Sequence, residues 1–145
     1  MKILGLDLGT KTLGVANSDA TKTVASKIQT ITFHSEQYHD AIKKLKSLID
    51  FELYEKIVLG LPKNMDGSLG RQAANTIKFK ELLEKHFAIE VVLWDERLTS
   101  KMANAIMISA DMSRKKRKKK VDYIAATIIL QSYLDSRKWG KTWQI

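Results

Sequence analysis

Ile3-Leu4-Gly5-Leu6-Asp7-Leu8-Gly9-Thr10-Lys11-Thr12-Leu13-Gly14-Val15-Ala16 is the stretch that decides the fold. An apolar run of strand length, a short Gly-Thr-Lys turn and a second apolar run predict a β-hairpin. One acid, Asp7, stands inside the first strand. A carboxylate buried in so apolar a run is costly unless something pairs with it. Lys11, Arg97 or a bound cation are the available partners.

Working outward, Asp19-Ala20-Thr21-Lys22 turns the chain into a third strand ending near Phe33, so three consecutive antiparallel strands are expected. Ser35 is the expected N-cap of a helix with Glu36 in its first turn. Tyr38, Ala41, Ile42, Leu45, Leu48 and Ile49 recur at helical spacing, with Lys43, Lys44 and Lys46 opposite. Ile57-Val58-Leu59-Gly60-Leu61, stopped by Pro62, predicts a buried strand reached by a crossover and therefore parallel to the first. The loop Lys63-Asn64-Met65-Asp66-Gly67-Ser68 leaves its carboxyl end, where open α/β sheets place ligand-binding groups.

A second helix is expected from about Leu69 to Phe87, burying Phe79, Leu82, Leu83 and Phe87. Ile89 to Trp94 predicts another strand, followed by Asp95-Glu96-Arg97. A third helix, capped by Thr99 or Ser100, would bury Met102, Ala105 and Ile106. A last helix from about Val121 to Arg137 carries Asp122 on the side of Ala125, Ala126, Ile129 and Tyr133. The expectation is an α/β fold whose five-stranded mixed sheet, three strands antiparallel and two parallel, is flanked by helices.

With 145 residues, 44% of them hydrophobic, and a single proline, the composition is that of a globular chain. One domain over 1–138 and a tail over 139–145 are expected. The absence of cysteine excludes thiolate chemistry, zinc–thiolate sites and disulfides. Asp7 interrupts the opening apolar run before it could serve as a signal-peptide core, and no run approaches bilayer length. A soluble cytoplasmic protein with no membrane partner is the expectation.

The net charge of +9 is concentrated: Arg114, Lys115, Lys116, Arg117, Lys118, Lys119 and Lys120 form an unbroken basic run, leaving eighteen basic against sixteen acidic residues elsewhere. Such a run suits a polyanion, above all nucleic acid, with anionic lipid or a plain solvated loop as the competing readings.

Three acids are expected to point inward: Asp7 in the first strand, Glu96 after a parallel strand and Asp122 at the start of the last helix. Brought to one sheet edge they would repel, and a hard divalent cation, Mg2+ or Mn2+, resolves the conflict with oxygen ligands. An acidic metal site beside a basic patch points to phosphodiester chemistry. Each acid also has a plain reading: an ion pair for Asp7, a surface charge for Glu96, a helix cap for Asp122. Lys11, Lys63, Asn64, Arg97 and the 114–120 run are the candidates for contacting phosphates. The histidines, His34, His39 and His86, lack ligand spacing and are expected at the surface. Gly9-Thr10-Lys11-Thr12 lacks the preceding glycine of a nucleotide phosphate loop.

Four blocks together resemble a known family. They are Gly5-Leu6-Asp7-Leu8-Gly9-Thr10-Lys11 with Gly14-Val15-Ala16; Gly60-Leu61-Pro62 with Asn64-Met65-Asp66-Gly67; Asp95-Glu96-Arg97-Leu98-Thr99; and Val121-Asp122 with Ala125-Ala126 and Ile129-Leu130-Gln131. In this order they resemble the YqgF family of ribonuclease-H-like proteins, described as Holliday junction resolvases and as nucleases that mature pre-16S ribosomal RNA. The resemblance implies a ribonuclease-H-like sheet and a divalent-metal site of Asp7, Glu96 and Asp122. Two positions depart from the pattern: Thr12, where many members carry arginine, and Ser100, where threonine is common. The expected activity is metal-dependent hydrolysis at the 5′ end of pre-16S ribosomal RNA, on structured RNA that a ribosomal subunit could present, by a monomer or homodimer. The alternatives are a dimeric resolvase of branched DNA and a nucleic-acid-binding protein without catalysis. The Asp7-to-Thr10 turn also resembles the phosphate-binding turn of actin and sugar-kinase ATPases, which need two such domains.

Overall fold

A computed structural model describes residues 1–64, 66–97 and 125–137. The chain runs β1 (Lys2–Leu8), β2 (Thr12–Ser18), β3 (Ala25–Thr32), α1 (Tyr38–Leu48), a 3-10 turn (Phe51–Leu53), β4 (Tyr54–Leu61), α2 (Arg71–His86) and β5 (Glu90–Asp95). Residues 125–137 are helical. The strands form one sheet in the order β3-β2-β1-β4-β5. β1 and β2, and β2 and β3, are antiparallel, whereas β4 runs parallel to both β1 and β5. This is the mixed sheet that the hairpin and the two crossovers predict.

Alternation along β1 divides the molecule. Leu4, Leu6 and Leu8 enter the larger core with Leu45 of α1 and Phe79 and Leu83 of α2. Ile3 faces the smaller core with Val58, Ala126, Ile129 and Leu130. Side chains two apart share a face, so Asp7 belongs with Ile3 and Gly5, on the side of the 125–137 helix. That helix lies very close to the sheet. A Cβ at Gly5 would stand 2.7 Å from Leu130 Cβ and 3.2 Å from the Ala126 carbonyl.

Several expected boundaries shift. Ser35 does not cap α1; Gln37 occupies that position and makes no side-chain cap bond. The backbone explains why: the Glu36 N–H donates to the Thr10 carbonyl at 3.0 Å and the Gln37 N–H to that of His34 at 2.9 Å. Glu36 takes a positive φ of 59° in this turn, which ties residues 34–37 to the β1–β2 connection and delays the helix. α2 starts at Arg71 because Ser68 is engaged in its own loop, where its N–H and hydroxyl both donate to Asp66 Oδ1. β4 starts earlier than its apolar run, at Tyr54, whose hydroxyl accepts from Asn17 Nδ2 at 3.0 Å. The expected third helix, the basic run 114–120, the start of the last helix and the tail lie outside the described residues.

Candidate active site

The parallel strands β1, β4 and β5 end at one edge of the sheet, and the candidate site is built there. Asp7 is the penultimate residue of β1, paired across the hairpin with Gly14. Glu96 follows the last residue of β5 and opens a helical turn. Between them lies β4, where Leu59 is in register with Leu6 and Gly60 with Trp94. Gly60 leaves room for the Glu96 side chain. A Cβ there would collide with Glu96 Oε1 and stand 2.6 Å from Ile129 Cδ1.

In that space Glu96 hydrogen-bonds to Asp7. Burial, this hydrogen bond and the charges of Asp7 and Asp95 push the Glu96 carboxyl up to about 9. At neutral pH Glu96 therefore holds the shared proton. The partner of the strand-centre acid is another acid, and Arg97, one of the cations considered for it, is bound to Asp95 instead.

Asp95 organises the neighbouring charges. Its carboxylate accepts from Arg97 Nε and Nη2, with Nη2 at 2.7 Å, and from the Arg97 backbone N–H at 3.0 Å. Lys63 Nζ lies 3.9 Å from the same group. Hydrogen bonding from Arg97 holds the Asp95 carboxyl below the usual range. Asn64 braces the loop: its amide donates to Ser68 Oγ at 3.0 Å, and its carbonyl accepts from the Gly67 N–H at 2.8 Å. Lys11 is exposed in the β1–β2 turn. Thr12 lies at the far side of that turn, where its carbonyl accepts from the Gly9 N–H at 2.7 Å.

Of the three expected carboxylates, two are therefore in contact. Asp122 lies outside the described residues, as do Arg114 to Lys120. Among the described residues no group of three His, Cys, Asp or Glu side chains could hold a metal ion. Two acids in contact, one of them forced to keep its proton, nevertheless form an oxygen-only donor set suited to a hard divalent cation. The histidines are exposed, with His39 and His86 edge to face at 6.3 Å on the helices α1 and α2. Sequence reasoning missed Asp95 and Gly60. The two-residue spacing of Asp95 from Arg97 is a signal for the first; only strand register could have found the second.

A mixed five-stranded sheet in this order, with its parallel strands ending at one edge, is the ribonuclease-H-like α/β fold. The same fold appears in Thermus thermophilus RuvC in complex with a Holliday junction substrate, with a TM-score of 0.62, 11% identity and coverage of 95% of this chain and 96% of that one. The fowlpox virus resolvase with Holliday junction DNA aligns with a TM-score of 0.51 and 14% identity over 94% of this chain and 98% of that one. Residues 1–136 match the model of the RuvX Holliday junction resolvase family, and the chain belongs to this family, the YqgF family of the sequence motifs. A relative from Geobacillus sp. (strain WCH70), named "Putative pre-16S rRNA nuclease", is 49% identical over 95% of this chain and all of its own length. Relatives of the same name from Caldanaerobacter subterraneus and Bacillus subtilis are 50% and 49% identical over 95% and 94% of this chain, and 99% of each of their own. The chain is thus an enzyme of a family that acts on nucleic acid.

Proposed function

We propose that this protein is a cytoplasmic, Mg2+- or Mn2+-dependent nuclease that trims the 5′ end of pre-16S ribosomal RNA. The observation that carries this reading is the Asp7–Glu96 contact: burial and the nearby charges keep the two acids from ionising together, and a divalent cation in place of the shared proton would let both do so. Asp7 and Glu96 would hold the cation together with Asp122. The last of these stands four residues before Ala126, whose Cβ lies 3.3 Å from a Cβ built on Gly14, the hairpin partner of Asp7. When bound, the ion offsets the charge building on the phosphate and acidifies the attacking water. Arg97, Lys63, Asn64, Lys11 and the 114–120 run would grip the sugar–phosphate backbone, which positions a strand without reading its sequence. The names of the relatives favour RNA as substrate. The family description supports a second reading, cleavage of branched DNA, which would call for a homodimer with two sites on one junction.

The test is cleavage of precursor ribosomal RNA, free and on a ribosomal subunit, and of a synthetic four-way junction, with and without Mn2+. Asp7→Asn, Glu96→Gln and Asp122→Asn should each lose cleavage by at least about a hundredfold, while RNA binding persists. Undiminished cutting by folded Asp7→Asn protein would end the proposal.

A further inference from the structure

Asp95 ends β5 in register with Leu61 of β4, so the residues that follow the two strands emerge side by side. Lys63 comes from one strand end and Arg97 from the other, and the Asp95 carboxylate stands between them. Arg97 Nε reaches both oxygens, at 3.1 Å and 3.0 Å, and Nη2 reaches Oδ2 at 2.7 Å. Lys63 Nζ lies 3.9 Å from that same Oδ2. One edge of the guanidinium is thereby fixed. The opposite edge, Nη1, faces the loop at Gly67, where a built Cβ would lie 3.4 Å away.

The nearby acid, Asp66, is turned into its own loop by Ser68. Two cations share the one Asp95 carboxylate, and the charge of Asp66 also reaches Arg97. Ion pairs this exposed contribute little to stability, so the arrangement calls for another explanation. With the Nε–Nη2 edge taken by Asp95, the guanidinium still presents its Nη1–Nη2 end, and a planar guanidinium end beside an ammonium suits phosphate oxygens.

We infer that Asp95 is a positioning residue: it presets the Arg97 fork and the Lys63 ammonium as a seat for a backbone phosphate next to the Asp7–Glu96 pair. The inference rests on the nuclease reading above, and it gives that reading a specific phosphate contact. Asp95 itself touches no substrate. Its negative charge would, on Coulomb's law alone, repel a phosphate, so its value lies in the order it imposes on longer side chains.

The opposed signs of these two effects make the test decisive. With Mn2+ and the cleaved RNA, Asp95→Asn should raise KM about tenfold, a larger factor than any change in kcat. Arg97→Lys, which keeps the charge and removes the fork, should do the same. The double variant should fall well short of the product of the two single defects, because Asp95 works largely through Arg97, and what it adds beyond the Arg97→Lys defect should come from Lys63. Asp95→Glu should recover part of the loss. An unchanged or lowered KM in Asp95→Asn, a defect confined to kcat, or multiplying defects in the double variant would overturn the inference.

Binding of a single-stranded RNA oligonucleotide in EDTA reads the same seat without catalysis. There Asp95→Asn should weaken affinity about tenfold and lower the salt slope by roughly 0.7 for every phosphate that the seat no longer holds. Unchanged binding overturns the inference. If wild-type protein binds this RNA in an Asp95-dependent way and cleaves no nucleic acid, it is the nuclease reading that fails.

Discussion

At the scale of single residues, Glu96 makes the strongest thermodynamic statement. Its carboxyl is raised from 4.5 to about 9, first by burial and then by its hydrogen bond to Asp7. Between those pH values the unfolded chain releases the proton and the folded chain keeps it, so the native state binds more protons. The stability that Glu96 contributes is therefore fully present below about pH 4.5 and is lost as pH rises through about 9, at no more than about 1.4 kcal/mol per pH unit. The lowered acids Asp66 and Asp95 act in the opposite sense, and they complete their titration below their ordinary value of 3.8. Thermal melts in EDTA should thus show a falling Tm from pH 5 to pH 9. Added Mn2+ displaces the proton, so the Tm gain it produces should grow with pH; a gain that is the same at pH 5 and pH 8 would argue against ligation by this pair. Gly60→Ala tests the same space sterically. The new methyl meets Glu96 Oε1 and Ile129 Cδ1, and overpacking of this kind costs about 1–3 kcal/mol. Cleavage should fall more than the melting point does, because the displaced group belongs to the site.

At the scale of elements, the position of the 125–137 helix matters most, because it covers the face on which Asp7 lies. Gly5 permits its approach, and Gln131 ties it to the far hairpin, accepting from the Ala25 N–H at 2.8 Å and donating to the Thr23 carbonyl at 3.0 Å. Gln131→Ala should remove both part-exposed bonds and cost about 0.5–1.5 kcal/mol, read as a lowered denaturation midpoint with an unchanged slope. The strands were legible in the sequence because each is an apolar run bounded by turn residues, and the parallel pairing follows from the helix-length crossovers. The start of α1 was not legible. Ser35 has the chemistry of a cap, but a bond from Glu36 to Thr10, residues far apart in the chain, outweighs that local preference. The same limit hid Asp95: its pairing with Arg97 is local, while its approach to Lys63 depends on the β4–β5 register. An acid in an apolar strand did announce that Asp7 needs a partner. The convergence of Glu96 on the same sheet edge was also expected, from its place after a parallel strand and from the family resemblance; the direct hydrogen bond between the two acids across the Gly60 gap required the folded sheet.

For the whole molecule, the deciding quantity is the distribution of charge around the carboxylate edge. Seven of the 25 basic residues lie in the run Arg114 to Lys120, and the seat formed by Lys63 and Arg97 is separate from it in sequence. If the run contacts the backbone of the substrate, it supplies affinity and steering and takes no part in bond cleavage. Replacing all seven residues by serine or glutamine should then reduce the salt slope of RNA binding by up to about 5, at roughly 0.7 per phosphate on a single strand. KM should rise steeply at physiological salt while kcat at saturating RNA stays close to wild type. The Asp95→Asn variant should retain nearly the full slope, since it disturbs at most the two cations of the seat. Equal slopes for wild type and the neutralised run would assign phosphate binding to the strand-edge cations alone, and a fall in kcat would place the run among the groups that align the scissile bond.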